Sequence, residues 1–299
     1  MSRRTLFLVA ALLVVSAAWA VAADPLGSEK NPIVWAYVPS GDTSKVSAGA
    51  QSVADLLHAK TGLFFRTFVA TDYVGVIEAL KANPPKAQMT SLATAAYILA
   101  ADQGLSQAAL VSQRNGSAFY QGEIIMRAGA GFKTLADLRG HTFARVDPLS
   151  TSGWIIPSLL LKAAGLNPET DLKVIDAGSH PGVVNAVYDG QADAGACFVD
   201  ARANVQNVHP DVMDKVVVLK ISGNIPNDGV QFHPSVPAAL RDRIVNSLLD
   251  IIKTPEGKAA INTAYQWTAF ERHDDSFYDG FRQVLQAAGV TAEVLLPKK

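Results

Sequence analysis

Short apolar runs alternate with helical patterns over most of this 299-residue chain, and this alternation limits its fold more than any other feature. A βαβα order is typical of α/β proteins with largely parallel sheets, because a helix carries the chain back to the start of the next strand. The first set comprises predicted strands at 33–38, 63–69 and 89–92 and predicted helices at 45–60, 73–82 and 93–101.

A second set of alternating elements follows two extended runs, at 108–113 and 119–127. It comprises predicted strands at 142–146, 172–176, 193–198 and 216–221 and helices at 134–138, 154–164 and 181–188. The last third changes character, with three consecutive helices predicted at 237–253, 255–270 and 275–288. Single cores stop growing near roughly 250–300 residues, and no Gly/Ser-rich linker separates the sets. We therefore predict two α/β lobes, each a mostly parallel sheet flanked by helices, joined by two crossover strands.

The first 23 residues have the three parts of a secretory signal peptide. Two arginines form the basic start, residues 6–15 are apolar, and small residues precede a possible cleavage site before Asp24. The alternative is a membrane anchor, which needs about 20 apolar residues, and the cleavage-type ending favours the signal peptide. We therefore predict that residues 1–23 are removed and that the mature protein is periplasmic.

Composition excludes several functional classes. The chain has 26 Lys+Arg against 27 Asp+Glu, so it lacks the basic excess expected of a nucleic-acid-binding protein. Its single cysteine, Cys197, cannot form an intrachain disulfide, and its apolar neighbours predict a position in the core. Neither zinc-type histidine spacing nor a phosphate-binding P-loop occurs, so we expect no metal and no other cofactor.

The segment with the most chemical information is residues 147–154, DPLSTSGW. A predicted strand ends at its Asp-Pro turn, and Ser150, Thr151 and Ser152 stand where a predicted helix begins. The first turn of a helix has unpaired N–H groups and the positive end of the dipole, so hydroxyls here can cradle a tetrahedral oxyanion without lysine or arginine. Gly153 would let the anion approach the backbone. A simple helix cap, which needs one hydroxyl, explains the motif equally well.

Other polar residues lie where predicted strands or helices meet loops. His180 follows a predicted strand, at the edge of an α/β sheet where ligands bind. Tyr73 and Tyr97 lie at predicted helix starts, and Asp200 and Asp228 follow strands of the second lobe. Each has a structural alternative: a core tyrosine with a satisfied hydroxyl, a surface loop histidine or a solvated loop acid.

Together these residues resemble the phosphonate-type substrate-binding proteins of ABC transporters, which have the type II periplasmic-binding-protein fold. Residues 147–157 resemble the family's DPxSTSGxxxP block, and residues 178–195 resemble its GSH…AVxxGxxDAG block. Tyr73 and Tyr97 match its two tyrosine positions, and residues 225–228 (IPND) resemble its IPxDP-type turn. The resemblance spans about residues 33–290.

The resemblance implies a non-enzymatic, monomeric binding protein that captures phosphonate, phosphite or phosphate by hinge closure and delivers it to an ABC permease in the inner membrane. Lobe one would be residues 24–120 plus 225–299, and lobe two residues 121–224. The oxyanion would sit on Ser150, Thr151 and Ser152.

The resemblance also implies roles for the remaining polar residues. Tyr73, Tyr97 and His180 would add donors from across the cleft. Asp200 stands where family members that bind aminophosphonates place a glutamate near the substrate amine, and Asp228 matches a second acid there.

Two other functions stay open at this point. The same fold could present an oxyanion to a membrane sensor kinase. A secreted hydrolase could use Ser152, His180 and Asp200 as a catalytic triad, although the GxSxG motif is absent and such trios arise by chance in chains of this size.

Overall fold

The computed structural model describes residues 24–291, and the predicted signal peptide lies outside them. The strands are β1 (Ile33–Tyr37), β2 (Phe65–Val69), β3 (Met89–Ser91), β4 (Gln107–Gln113), β5 (Phe119–Arg127), β6 (Thr142–Arg145), β7 (Lys173–Asp176), β8 (Ala194–Phe198), β9 (Val216–Pro226), β10 (Gly229–Phe232) and β11 (Ala269–Arg272). The α-helices are α1 (Thr43–Thr61), α2 (Tyr73–Lys81), α3 (Thr94–Ala101), α4 (Ile156–Ala163), α5 (Pro168–Asp171), α6 (His180–Tyr188), α7 (Val212–Lys215), α8 (Ala238–Ile251), α9 (Pro255–Tyr265) and α10 (Asp279–Ala287). A π-helical turn covers Thr151–Ile155, and 3-10 turns cover Leu135–Leu138, Ala201–Val205 and Asp275–Tyr278. Within residues 24–291, none of the helices has the length and apolar character needed to cross a membrane.

Six strands form the first sheet, in the order β11-β4-β10-β3-β1-β2. Strand β1 pairs in parallel with β2 and β3, whereas β10 runs antiparallel to β3 and β4, and β11 runs antiparallel to β4. Helix α1 packs against α9, α8 and β2. A Cβ atom on Gly49 of α1 would lie 2.4 Å from the backbone nitrogen of Ala264 in α9, so glycine is what allows these two helices to touch.

Five strands form the second sheet, in the order β7-β6-β8-β5-β9. Strand β6 is parallel to β7 and β8, and β5 is antiparallel to β8 and β9. The β5–β9 ladder runs from Phe119 opposite Pro226 to Arg127 opposite Val216. The chain passes between the two sheets at residues 114–118 and 227–228, so its two crossings lie side by side at one end of this ladder.

The prediction of two α/β lobes, each a sheet flanked by helices, is confirmed, and the sheets are mixed rather than mostly parallel. Every antiparallel pairing includes a strand next to a crossing, namely β4, β5, β9 or β10. At these points the chain enters a sheet without the crossover helix that parallel pairing requires.

The predicted helix at 255–270 is wrong at its C-terminal end. Helix α9 ends at Tyr265 because Gln266 adopts a left-handed conformation, with φ 58°. Strand β11 then pairs with β4 along the edge of the first sheet. The prediction for Cys197 is confirmed, since its side chain is fully buried.

Candidate functional site

A cavity of about 450 Å³ lies between the two lobes. Lobe one contributes Ser40, Tyr73 and Ala93 to its wall, and lobe two contributes the serines and threonine of residues 150–152 together with His180. Hydrogen bonds join the lobes beside it. The backbone N–H of Tyr73 donates to Asp147 Oδ2 at 3.1 Å, and that of Ala95 donates to Thr151 Oγ1 at 2.9 Å.

Five helices begin at this cavity. Each helix start contributes a residue to the cavity wall: Asp42 at α1, Tyr73 at α2, Ala93 at α3, Thr151 at the π-helical turn and His180 at α6. Each helix start carries partial positive charge and N–H groups without an intrahelical acceptor. These five helix starts favour an anion at the cavity, whereas the last turn of α9, at residues 263–265, brings carbonyl groups to the same wall.

The segment at residues 150–152 forms both a helix cap and an open cradle. Ser150 is the cap, and its Oγ accepts from the N–H of Gly153 at 3.2 Å. Thr151 Oγ1 accepts from lobe one, which leaves its hydroxyl proton to donate elsewhere. Ser152 is buried and lines the cavity. The helix-cap and oxyanion-cradle interpretations of the motif are thus compatible. The hydroxyl oxygen of Ser150 caps the helix, and the hydroxyl protons of Ser150, Thr151 and Ser152 can all donate to a ligand.

Gly153 has a different role from the one expected. A Cβ atom there would lie 2.5 Å from Cγ2 of Val146 and 2.7 Å from Oγ of Ser150. Glycine is therefore required because the helix start packs directly on the end of β6, rather than for the approach of an anion.

Tyr73 presents the most unusual polar atom of the site. Its side chain is fully buried and lines the cavity, yet its hydroxyl finds no hydrogen-bond partner among the described residues. Burial, and then the nearby Asp147 carboxylate, raise the pKa of Tyr73 well above its usual range against a smaller opposing effect of the adjacent Ser150 hydroxyl, so the phenol stays a neutral donor. Asn185, another lining residue, has a buried Oδ1 that also lacks a partner within the described part of the chain.

His180 is a neutral donor held in one orientation. Its Nδ1 accepts from the backbone N–H of Phe198 at 3.2 Å, which assigns the ring proton to Nε2. Burial, and then the positive charge of Arg114, lower the pKa of His180 to about 3. The imidazole therefore stays uncharged at neutral pH and can donate one N–H to a ligand.

Asp228 lies in the cavity wall as an ion pair with Arg114. Arg114 Nη1 donates to Asp228 Oδ1 at 2.9 Å and to Asn227 Oδ1 at 2.6 Å. The same carboxylate oxygen accepts from Trp267 Nε1 at 3.2 Å and from Ser112 Oγ at 3.2 Å. The charges of Asp228 and Arg114 thus balance each other where the chain crosses between the lobes.

Tyr97 does not reach the cavity, contrary to the sequence-based expectation. Its hydroxyl donates to Asp275 Oδ1 at 2.5 Å and accepts from the N–H of Ala108 at 2.9 Å. Its ring packs on Tyr278 with centroids 4.9 Å apart. One turn into α3, its side chain points toward β4 and the 3-10 turn at Asp275–Tyr278, where it is a satisfied core tyrosine.

Asp200 also lies outside the cavity lining. Its carboxylate caps the turn Ala201–Val205 and accepts from Arg202 Nη2 at 2.6 Å and Arg202 Nε at 2.9 Å. Burial acts to raise the pKa of Asp200, but the hydrogen bonds and charge of Arg202 outweigh it and lower that pKa. An acid already satisfied by its own loop is not available to a ligand in the cavity.

The catalytic-triad alternative fails on this geometry. His180 Nδ1 meets a backbone N–H where a triad needs a carboxylate, and Asp200 is engaged by Arg202. The Nε2–H form of His180 cannot accept the proton of Ser152. Among residues 24–291 no group of three or more His, Cys, Asp or Glu side chains is arranged to hold a metal ion.

Several lining residues were not predicted from the sequence. The most important are Arg114, the first residue of the crossing at residues 114–118, and Tyr120, the second residue of β5. Burial, and then Asp228, raise the pKa of Tyr120 to about 12, so it is a further neutral donor. The sequence analysis drew no prediction from residues 113–117 (QRNGS). Arg114 reaches the cavity wall because the two crossings, distant in sequence, lie side by side.

Comparison with known proteins follows this geometry. A family model described as the periplasmic substrate-binding protein of phosphonate ABC transporters matches residues 35–278. The phosphonates-binding periplasmic protein of Escherichia coli is 25% identical over 224 residues, which cover 73% of this chain and 65% of that protein. The phosphate-import protein PhnD of Mycolicibacterium smegmatis is 28% identical over 177 residues, 56% of this chain and 54% of that protein. The chain thus matches less than two thirds of the length of either relative.

Solved structures share the fold. PhnD1 of Prochlorococcus marinus in complex with methylphosphonate has a TM-score of 0.76 at 14% identity, covering 86% of this chain and 98% of that one. A binding-protein component of a phosphonate ABC transporter from Pseudomonas aeruginosa has a TM-score of 0.75 at 19% identity, covering 86% of this chain and 88% of that one.

Proposed function

The chain belongs to the family of periplasmic substrate-binding proteins of phosphonate ABC transporters, and on that premise we propose that it captures a small phosphorus oxyanion in the cavity between its lobes. The ligand is a phosphonate, a phosphite or a phosphate. The protein carries out no reaction on it and delivers it to the permease of an ABC importer in the inner membrane. The predicted signal peptide supports a periplasmic location for this capture.

The unpartnered hydroxyl of Tyr73 carries the proposal. A buried donor left without a partner costs about 1–3 kcal/mol, and a ligand oxygen in the cavity would remove that cost. Across from it, the start of the π-helical turn offers the hydroxyls of Ser150, Thr151 and Ser152. Neutral donors that converge from two lobes suit the three or four oxygens of a phosphorus oxyanion.

Acceptors in the same wall favour a protonated oxyanion. Asn185 Oδ1 is buried without a partner among the described residues, and Asp228 Oδ2 accepts only from Arg114 Nη2 at 3.4 Å within them. A P–OH group can donate to such acceptors. Sulfate, which has no proton at neutral pH, would meet only repulsion there, and we expect it to be rejected.

A ligand that contacts both lobes would favour their closure. Tyr73 belongs to lobe one and Thr151 to lobe two, so one anion between them adds to the interlobe hydrogen bonds already described. The two adjacent crossings, at residues 114–118 and 227–228, form the natural hinge.

The test compares two serines near helix starts, one in the cavity wall and one outside it. Ser152→Ala removes a hydroxyl from the cavity wall. Ser179→Ala removes the hydroxyl that caps α6, where Ser179 Oγ accepts from the N–H of Gly182 at 3.1 Å, and Ser179 lies outside the cavity lining. By calorimetry with methylphosphonate on ligand-stripped protein, we expect Ser152→Ala to weaken binding by about 1.5–3 kcal/mol, since that is the contribution of a hydrogen bond to a charged group. Ser179→Ala should bind as the wild type does. Equal affinities for the wild type and Ser152→Ala would contradict the proposed cradle.

A further inference from the structure

We propose that the preferred ligand is a phosphonate whose organic substituent is uncharged and apolar, rather than an inorganic ion or an aminophosphonate. This inference rests on the proposed function, because it concerns the part of the same cavity that an oxyanion head leaves unfilled.

The cavity is too large for an inorganic ion. Phosphate has five non-hydrogen atoms, and even at the ~30 Å³ that one water molecule occupies in the liquid it would fill about 150 Å³. The cavity measures about 450 Å³, within the range of pockets that hold small organic molecules. The cavity, which opens to solvent beside Val208, therefore has room for a substituent on phosphorus as well.

The wall beyond the cradle is largely apolar. It is built from both lobes by the side chains of Val38, Val46, Phe198, Val205 and Ala264. Four of these residues are buried, Phe198 is half-buried, and Val208 at 75% exposure marks the open side of the cavity. Removing apolar surface from water is the main source of affinity that such a wall can offer.

The two carboxylates among the described lining residues, Asp228 and Asp42, are poor partners for a substrate amine. Asp228 is neutralised by Arg114. Asp42, which caps α1 and accepts from the N–H of Lys45 at 2.9 Å, is exposed to solvent. Asp200, the expected partner of a substrate amine, lies outside the lining and pairs with Arg202. An ammonium group would thus meet one carboxylate whose charge Arg114 already balances and one that stays in water, so the loss of its own hydration is not compensated.

The decisive experiment compares two ligands of nearly identical shape. n-Propylphosphonate and 2-aminoethylphosphonate differ only in a terminal CH₃ in place of NH₃⁺, and methylphosphonate serves as the short reference. Each buried methylene raises affinity about fourfold, so calorimetry should show n-propylphosphonate binding about 15-fold more tightly than methylphosphonate. We expect 2-aminoethylphosphonate to bind no better than methylphosphonate.

A variant tests the electrostatic part separately. Arg114→Gln leaves the Asp228 carboxylate without its cation, so the affinity for 2-aminoethylphosphonate should rise relative to that for n-propylphosphonate. Thermal unfolding of the variant establishes that it is folded. A ratio equal to that of the wild type in a folded variant would mean that Arg114 does not set the preference.

The outcomes separate this inference from the proposed function. If methylphosphonate binds but n-propylphosphonate is no tighter, or 2-aminoethylphosphonate is tightest, the apolar-substituent proposal is wrong and the proposed function stands. If no phosphorus oxyanion binds to the folded protein, both are wrong.

Discussion

Tyr73→Phe should change stability and affinity in opposite directions. The substitution removes a buried hydroxyl that has no partner among the described residues. The unliganded protein then loses an unsatisfied polar group, so its free energy of unfolding should rise by as much as about 1–3 kcal/mol. The liganded protein loses a hydrogen bond to an anion, which corresponds to roughly a 10- to 150-fold weaker affinity for methylphosphonate.

Tyr97→Phe is the matched control, because Tyr97 is equally buried but hydrogen-bonded to Asp275 and Ala108. It should lower the free energy of unfolding by about 1.5–3 kcal/mol and leave affinity unchanged. Urea unfolding without ligand and calorimetry with methylphosphonate measure both quantities for each variant. Destabilisation of the unliganded Tyr73→Phe protein with unaltered affinity would refute the reasoning, since the hydroxyl would then be structural.

Three further predictions concern stability. Burial, and then the charge of Asp200, raise the pKa of Glu123 to about 7, so ionisation of this carboxyl opposes folding as pH rises from about 4.5 through 7. Glu123→Gln should therefore be more stable than the wild type by about 3 kcal/mol at pH 8 but not at pH 4, as measured by urea unfolding; a pH-independent difference would contradict this. Burial holds the pKa of His180 at about 3, so the neutral imidazole stabilises the protein above pH 6.5, and this contribution is lost as pH falls toward 3. The free energy of unfolding of His180→Asn should therefore fall less than that of the wild type over this pH range. Parallel pH profiles of the two free energies of unfolding would assign the acid sensitivity to another group. Gly153→Ala should lower the free energy of unfolding by about 1–3 kcal/mol, because the new methyl group would press on the Val146 side chain. In the double variant, Val146→Ala should restore part of that loss. Additive effects of the two substitutions would exclude this contact as the cause.

Local sequence patterns correctly predicted where several residues of the cavity wall lie in the fold. Residues 150–152 and His180 each follow a strand and begin a helix, and this local pattern places them at the carboxyl ends of strands in the second sheet. Tyr73 begins α2 in the same way and lies in the cavity wall. These positions could be predicted because they depend only on the order of strand, loop and helix within one short segment of the chain.

The parts that depend on distant contacts could not be predicted. Tyr97 and Tyr73 look alike in sequence, but Tyr97 is satisfied by Asp275, which lies 178 residues away. Asp228 looks like a free acid until Arg114, 114 residues earlier, is placed beside it by the adjacent crossings. The first two residues of β11, 269–270, were predicted as helix because pairing with β4, and not the local sequence pattern, decides their structure.

The measurement that bears most directly on the proposed function is calorimetry of the mature protein, unfolded and refolded to remove carried-over ligand, with methylphosphonate, phosphite, phosphate and sulfate. We expect one phosphorus oxyanion to bind at a single site per chain, with sulfate rejected, and the binding to be weakened by Ser152→Ala. A folded protein that binds none of the phosphorus oxyanions, or that binds sulfate equally well, would contradict the assignment of this cavity to a protonated phosphorus oxyanion.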